Sequence, residues 1–384
     1  MASVVTTEVS APLPWLAQPL AQALAQQRGH AVLVHGSPGV GAMEFSLLLA
    51  QTWLCEGPAE AAAGPESSST GPCLRCASCR LVQSRLHPDL FVLMPEALRK
   101  SQGWLLVDDK ADSADNKRKP SQQIRIDEVR ALIDWSQKTT ARGRGKVVVL
   151  HPADSLNLQS ASALLKTLEE PAPGTRLVLT TADPARLLPT VRSRCQRVLL
   201  PAPNHSQALA WLAGQGVARP EVLLAACCGR PLEALALSQR GVDADVWAAL
   251  PRAVAQGAGA AALAGWPVPV VVDALHKLCH DALACSVGAQ ARYFPQATVP
   301  RTAALPALLA WAEALARVAR HAEHPWSEAL LLDSLLGQGQ QALAKAPPAP
   351  ARRNHGASRL ADPVSLHNPS PGAVASGPFG TLTP

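Results

Sequence analysis

The chain has 384 residues, 48% of them hydrophobic, so it can bury a large core, and typical domain sizes imply two or three domains plus tails. Its apolar runs are short and its start lacks a basic segment followed by an apolar one, so we expect no membrane span and a cytoplasmic protein. The net charge of +6 permits contact with nucleic acid but is too diffuse to establish it.

The first recognisable unit is a strand, a glycine-rich loop and a helix. Leu16 to Gln27 is helix-prone, Ala31 to Val34 has the pattern of a buried strand, and Ala42 to Trp53 has helical spacing. Gly36 to Gly41 form a Gly/Pro loop between that strand and the second helix. This order is typical of a phosphate-binding loop.

The loop lacks the residues that a working phosphate-binding loop, G-x-x-x-x-G-K-[ST], uses for chemistry. Gly36 and Gly41 have the required spacing, with Gly39 between them, but Ala42 and Met43 stand at the Lys and hydroxyl positions. There is then no cation for the phosphates and no hard oxygen ligand for magnesium. We therefore expect neither hydrolysis nor tight binding of ATP by this chain.

Nine cysteines occur, and three of them fall close together. Cys73, Cys76 and Cys79 are separated by two residues each, and Cys55 lies upstream, so four thiolates match the tetrahedral ligand set of structural zinc. We predict a zinc module over about residues 55–79, with a loop insertion between Cys55 and Cys73. A redox pair or unliganded core thiols are the alternatives.

The middle of the chain alternates helices and strands. A polar segment over about residues 101–121 is expected to be a solvated insertion. The patterns that follow predict helices at Ile124 to Lys138 and Ser160 to Glu170, and strands at Lys146 to Leu150 and Leu177 to Thr180. Strands that alternate with helices predict an α/β fold with a parallel sheet.

The second strand ends without the acidic pair of an active nucleotide-hydrolysing site. His151 and Pro152 stand where one carboxylate would hold magnesium and the next would activate water. Two defects in elements that must cooperate argue against hydrolysis. The alternative is that the glycine loop is simply a turn in a fold that never bound nucleotide.

The second half of the chain is helical, because strand signals almost vanish after Pro203 and Ala/Leu helices dominate. We predict a nucleotide-binding-like α/β domain over 1–202, a small helical domain over 203–256, a second helical domain over 257–345 and a disordered tail over 346–384.

Three motifs carry a resemblance to a known family. Ser162 to Pro171 reads SALLKTLEEP, Thr180 to Pro184 reads TTADP, and Ser193-Arg194-Cys195 follows. Together they closely resemble the bacterial clamp-loader AAA+ subunits of DNA polymerase III, over about residues 14–336. The resemblance implies a P-loop-type parallel-sheet domain, a helical lid and a C-terminal helical collar. Gamma/tau subunits of that family keep the Lys and the acidic pair, whereas delta-prime subunits commonly lose them, so this sequence resembles delta-prime subunits.

The resemblance also assigns residue roles. The arginine of Ser-Arg-Cys reaches a neighbouring subunit's ATP site in clamp loaders, which implies that Arg194 is an arginine finger acting in trans. Thr180 or Thr181 matches a sensor residue at a strand end. Leu232 stands where the family has a lid arginine, and Arg230 is two residues away from that position. Arg194 could alternatively be an ordinary surface arginine.

The implied protein is a non-catalytic subunit of a DNA-directed DNA polymerase (nucleotidyltransferase) holoenzyme. It would assemble with gamma/tau and delta subunits and help load the sliding clamp onto primed DNA, with indirect contact to the clamp and to primer-template DNA. The main alternative, an active gamma/tau-like ATPase, is opposed by Ala42, Met43, His151 and Pro152. A zinc-containing DNA-binding module would predict basic stripes interleaved with aromatics, and aromatics are only 4% of the chain.

Overall fold

The computed structural model describes residues 13–57, 71–104, 120–300, 305–320 and 328–344. The tail predicted over 346–384 lies outside the described residues, as do 58–70 and 105–119, which hold most of the two predicted insertions. Within the described ranges, no helix has both the length and the apolar character needed to cross a membrane.

Five parallel strands form the central sheet, in the order β2-β3-β4-β1-β5. Their bounds are β1 Ala31–His35, β2 Leu90–Leu93, β3 Lys146–Leu150, β4 Thr175–Thr181 and β5 Gln196–Leu199. The predicted α/β fold with a parallel sheet is confirmed. The two edge strands, β2 and β5, were not predicted from the sequence.

Helices cover both faces of this sheet. They are α1 Ala17–Gln26, α2 Ala42–Leu54, α3 Ala77–Gln83, α4 Glu96–Ser101, α5 Ile126–Gln137, α6 Leu158–Glu169 and α7 Pro189–Arg192. Along β1, Val32 and Val34 pack with α1 and α2, whereas Ala31 and Leu33 pack with α5, α6 and α7. Side chains alternate between the two faces of a strand, so strands buried on both sides read as continuous apolar runs.

The rest of the chain is helical. Its elements are α8 His205–Gly214, α9 Pro220–Ala226, α10 Pro231–Gln239, α11 Ala244–Ala255, α12 Gly259–Ala262, α13 Val268–Ser286, α14 Leu305–Arg320 and α15 Glu328–Leu343. One hydrophobic cluster, with Trp247 and Trp311 among its largest buried side chains, extends through these helices. Because α11 contacts both α9 and α15, helices on either side of residue 257 share this core. The lid and collar boundaries stay predictions.

The helical part rests on the glycine loop. The indole Nε1 of Trp15 donates to the Val40 carbonyl at 2.8 Å, and the Trp15 ring meets Trp211 of α8 edge to face at 5.3 Å. The backbone N–H of Leu232 donates to the Gly39 carbonyl at 3.3 Å. These contacts fix the loop between the N-terminal segment, α8 and α10.

Candidate functional sites

A cavity of about 370 Å³ lies where the carboxyl ends of β1, β3 and β4 meet the start of α2. Its lining includes the three glycines of the degenerate loop and the four positions that depart from a working site: Gly36, Gly39, Gly41, Ala42, Met43, His151 and Pro152. The structure therefore brings the two defective elements together around one cavity, with Leu232 of α10 at its rim.

The cavity has no positive charge among the sixteen residues that line it. None of them is Lys or Arg, whereas Glu44 and Asp154 are acidic. The side chain of Met43 is buried and offers no oxygen to a magnesium ion. A triphosphate in this cavity would meet two carboxylates without the cation that usually neutralises it.

His151, Thr180 and Thr181 form side-chain hydrogen bonds with other residues of this chain. The Nδ1 atom of His151 lies 2.7 Å from Thr180 Oγ1, and Thr180 Oγ1 also donates to the Leu150 carbonyl at 3.3 Å. Burial lowers the pKa of His151 to about 4, so the imidazole is neutral at pH 7. Thr181 Oγ1 lies 3.0 Å from Asp154 Oδ1. Both candidate sensor hydroxyls therefore have partners in this chain.

The glycine spacing of the loop serves the fold. A Cβ on Gly36 would lie 2.6 Å from the carbonyl oxygen of Leu200, and one on Gly41 would lie 2.7 Å from Leu13 Cδ1. Gly41 also has φ of +100°, in the left-handed region that favours glycine. The loop thus needs Gly36 for its packing against Leu200 and Gly41 for its backbone conformation, whether or not a phosphate binds.

Arg230, at the N-terminus of α10, contacts the end of α9 and the first turn of α10. Its Nε donates to the Cys227 carbonyl at 2.8 Å, and its Nη2 pairs with Glu233 at 2.8 Å. Arg230 is not among the residues that line the cavity, whereas Leu232 is. Both contacts hold the Arg230 guanidinium within this chain.

Arg194 follows α7, away from the lining of this cavity, and its side chain is partly exposed. Its Nη1 donates to the Thr190 carbonyl at 2.8 Å, and its Nη2 forms an ion pair with Glu169 at the end of α6. The next residue, Cys195, is buried and anchors the segment. Glu169 was not singled out in the sequence, because only the fold brings α6 against α7.

The four predicted cysteine ligands converge. Cys55 follows α2, Cys73 and Cys76 precede α3, and Cys79 lies in its first turn; their Sγ atoms all lie within 4.8 Å of one another. The Cys55–Cys76 and Cys73–Cys79 sulfur distances are 4.0 and 3.9 Å, and the thiols are free. Metal–sulfur bonds of about 2.3 Å in a tetrahedron place sulfurs about 3.8 Å apart, so the cluster could hold a metal ion.

Backbone donors support negative charge on these sulfurs. The N–H groups of Cys76 and Cys79 point at the sulfurs of Cys73 and Cys76, at 3.4 and 3.3 Å, and the Cys73 N–H points at Cys55 Sγ at 3.4 Å. Burial disfavours the Cys73 thiolate, but N–H donors and neighbouring thiols outweigh it and lower the pKa of Cys73 to about 6. Burial raises the pKa of Cys79. Ionisation of all four sulfurs would therefore need the positive charge of a metal.

The sequence is similar to a protein family and to several proteins of known name. A sequence profile of the family described as "DNA polymerase III, delta subunit" matches residues 14–204. A "DNA polymerase III subunit delta'" of Pseudomonas aeruginosa is 35% identical over 258 residues, which cover 64% of this chain and 69% of that protein. The protein of the same name from Escherichia coli strain K12 is 32% identical over 233 residues, 59% of this chain and 60% of that one.

A more distant relative carries a different name. The "DNA polymerase III subunit tau" of Salmonella typhimurium is 30% identical over 178 residues, which cover 46% of this chain and 22% of that protein. The parallel five-stranded sheet and the helical second half fit the clamp-loader AAA+ fold that the sequence resembles. The chain belongs to the family of DNA polymerase III delta-prime subunits.

Proposed function

We propose that this chain is the non-catalytic delta-prime member of a clamp loader, which joins gamma/tau and delta subunits and helps load the sliding clamp onto primed DNA. The observation that carries the proposal is the cavity at the glycine loop, which is lined by two carboxylates and no cation. A site of this kind lacks the groups that neutralise phosphates and hold magnesium. We propose that it acts in the cytoplasm, together with the rest of the replication machinery.

Arg194 is proposed to complete the ATP site of a neighbouring gamma/tau subunit. Its partial exposure and its position outside the chain's own cavity support this role. The guanidinium is anchored at one nitrogen by the Thr190 carbonyl, and its exposed ion pair with Glu169 is worth about 0–1 kcal/mol. A pair that weak could be exchanged for the stronger bidentate contact that a phosphate offers.

Cys55, Cys73, Cys76 and Cys79 are proposed to hold structural zinc. Their sulfur separations fit tetrahedral zinc, and four thiolates leave no open position for a substrate or a reactive water. The ion would join the end of α2 to the start of α3. Its role would be to fix this module on the α/β part of the chain.

The test is the DNA-stimulated ATPase of a loader reconstituted from gamma/tau, delta and this chain. With Arg194→Ala we expect turnover at one site to fall on the order of 10³-fold or more. Arg197→Ala, which removes an exposed arginine on β5, is the matched control and should leave the ATPase unchanged. Hydrolysis by the isolated chain would favour the gamma/tau-like alternative, and wild-type turnover with Arg194→Ala would refute the finger.

A further inference from the structure

A polar network lies directly against the cysteine cluster and joins residues distant in sequence. Arg142, in the loop between α5 and β3, makes two parallel hydrogen bonds to the Glu56 carboxylate, Nε to Oε1 at 2.6 Å and Nη2 to Oε2 at 3.0 Å. Glu56 directly follows Cys55. Paired hydrogen bonds between opposite charges are strong, and they also fix the relative orientation of the two side chains.

The same network also contacts the segment that carries Cys76 and Cys79. Ser78, which lies between Cys76 and Cys79, is buried, and its Oγ donates to Glu56 Oε1 at 3.0 Å and accepts from Arg142 Nε at 3.1 Å. One guanidinium therefore contacts both segments that carry the cysteines, the end of α2 and the start of α3.

Two buried residues complete the network. His87 Nδ1 accepts from the Asp89 N–H at 3.0 Å, so its Nε2 carries the proton and donates to Ser78 Oγ at 3.0 Å. The Asp89 carboxylate accepts from the N–H groups of Ala141 and Arg142, at 2.7 and 2.9 Å. The backbone of Arg142 is thus held from one side and its side chain from the other. Ser78, His87 and Asp89 are buried, whereas the Arg142 and Glu56 side chains are 30% and 29% exposed, so bonds to buried partners orient a pair that lies partly at the surface.

We propose that Arg142 is the positioning residue of the metal centre, which holds the Cys55 and Cys76–Cys79 segments at ligand distance through Glu56 and Ser78. This inference rests on the proposed zinc site. Groups that orient metal ligands in this way typically contribute 10- to 100-fold in metal affinity.

The test is the rate at which zinc leaves the full-length chain to an excess of chelator. Arg142→Met is expected to release zinc 10- to 100-fold faster than wild type. Arg144→Met, which removes an exposed arginine two residues further along the same loop, is the matched control and should release zinc at the wild-type rate. Arg142→Lys keeps the charge but loses the paired bonds, so it should release zinc faster than wild type and more slowly than Arg142→Met.

The outcomes separate this inference from the zinc proposal. A wild-type chain that retains no zinc refutes the zinc site itself. A wild-type chain that retains one equivalent, with Arg142→Met releasing it at the same rate, refutes the role of Arg142. Should Arg142→Met fail to fold by circular dichroism, Ser78→Ala removes a single member of the network. Its release rate must then exceed that of wild type, or the inference is wrong.

Discussion

The imidazole Nδ1 of His151 lies 2.7 Å from the hydroxyl oxygen of Thr180, where the neighbouring strands β3 and β4 end. This hydrogen bond joins the position expected for an acidic pair to a position expected for a sensor. Both groups are satisfied inside the chain without a nucleotide. This hydrogen bond is part of the folded structure, so protonation of His151 affects stability.

His151 makes stability depend on pH. The folded state holds its pKa at about 4, below the usual value near 6.5, so between these pH values the unfolded chain binds more protons and the free energy of unfolding falls as the pH drops. Between pH 7 and pH 5 the loss from this residue is at most about 2 kcal/mol, reduced by the partial exposure of the ring.

Denaturant unfolding at the two pH values checks this prediction. His151→Asn should lose less stability than wild type between pH 7 and pH 5, because it has no imidazole to protonate. His205→Asn, at an exposed histidine, should follow the wild-type profile. Parallel profiles for wild type and His151→Asn would contradict the prediction.

Gly36→Ala should destabilise the chain even without nucleotide. Its new Cβ would meet the Leu200 carbonyl oxygen at 2.6 Å, and overpacking against backbone costs about 1–3 kcal/mol. Gly29→Ala is the control, because no atom lies within 4 Å of a Cβ there. Thermal unfolding of both variants measures the difference, and equal stability would mean that the loop does not need this glycine for packing.

Glu169→Ala should change the free energy of unfolding by less than about 1 kcal/mol, because its ion pair with Arg194 is exposed. Leu168→Ala, one position earlier in α6, removes a buried side chain and should cost about 2–5 kcal/mol. Denaturant titrations of the two variants give the comparison. A loss of several kcal/mol with Glu169→Ala would mean that the pair is a structural contact rather than an exchangeable one.

Trp15 and Trp211 should be energetically coupled. Their rings meet edge to face at 5.3 Å, an arrangement worth about 0.5–1.5 kcal/mol beyond area burial. A double-mutant cycle with Trp15→Leu and Trp211→Leu, measured by denaturant unfolding, should show a coupling of this size. Additive losses would mean that the ring contact does not join the glycine loop to the helical part.

Much of the α/β part could be predicted from local sequence. Within β1, β3 and β4, residues 31–34, 147–150 and 177–179 are continuous apolar runs because they are buried on both faces, and the glycine spacing marked the start of α2. The strands β2 and β5 escaped prediction. Each has four residues and lies at a sheet edge, and a run that short is assigned by its pairing rather than by its periodicity.

Local sequence identifies the four clustered cysteines, the absence of a lysine and of an acidic pair at the glycine-loop site, and the motif that contains Arg194. What surrounds these residues follows from the fold: Arg142 reaches Glu56 across 86 positions, and His151 reaches Thr180 across 29. The spacing of residues along a chain reveals a functional motif only when its members lie within a few positions of one another. Contacts between distant segments depend on how the helices and strands pack, because that packing decides which side chains meet.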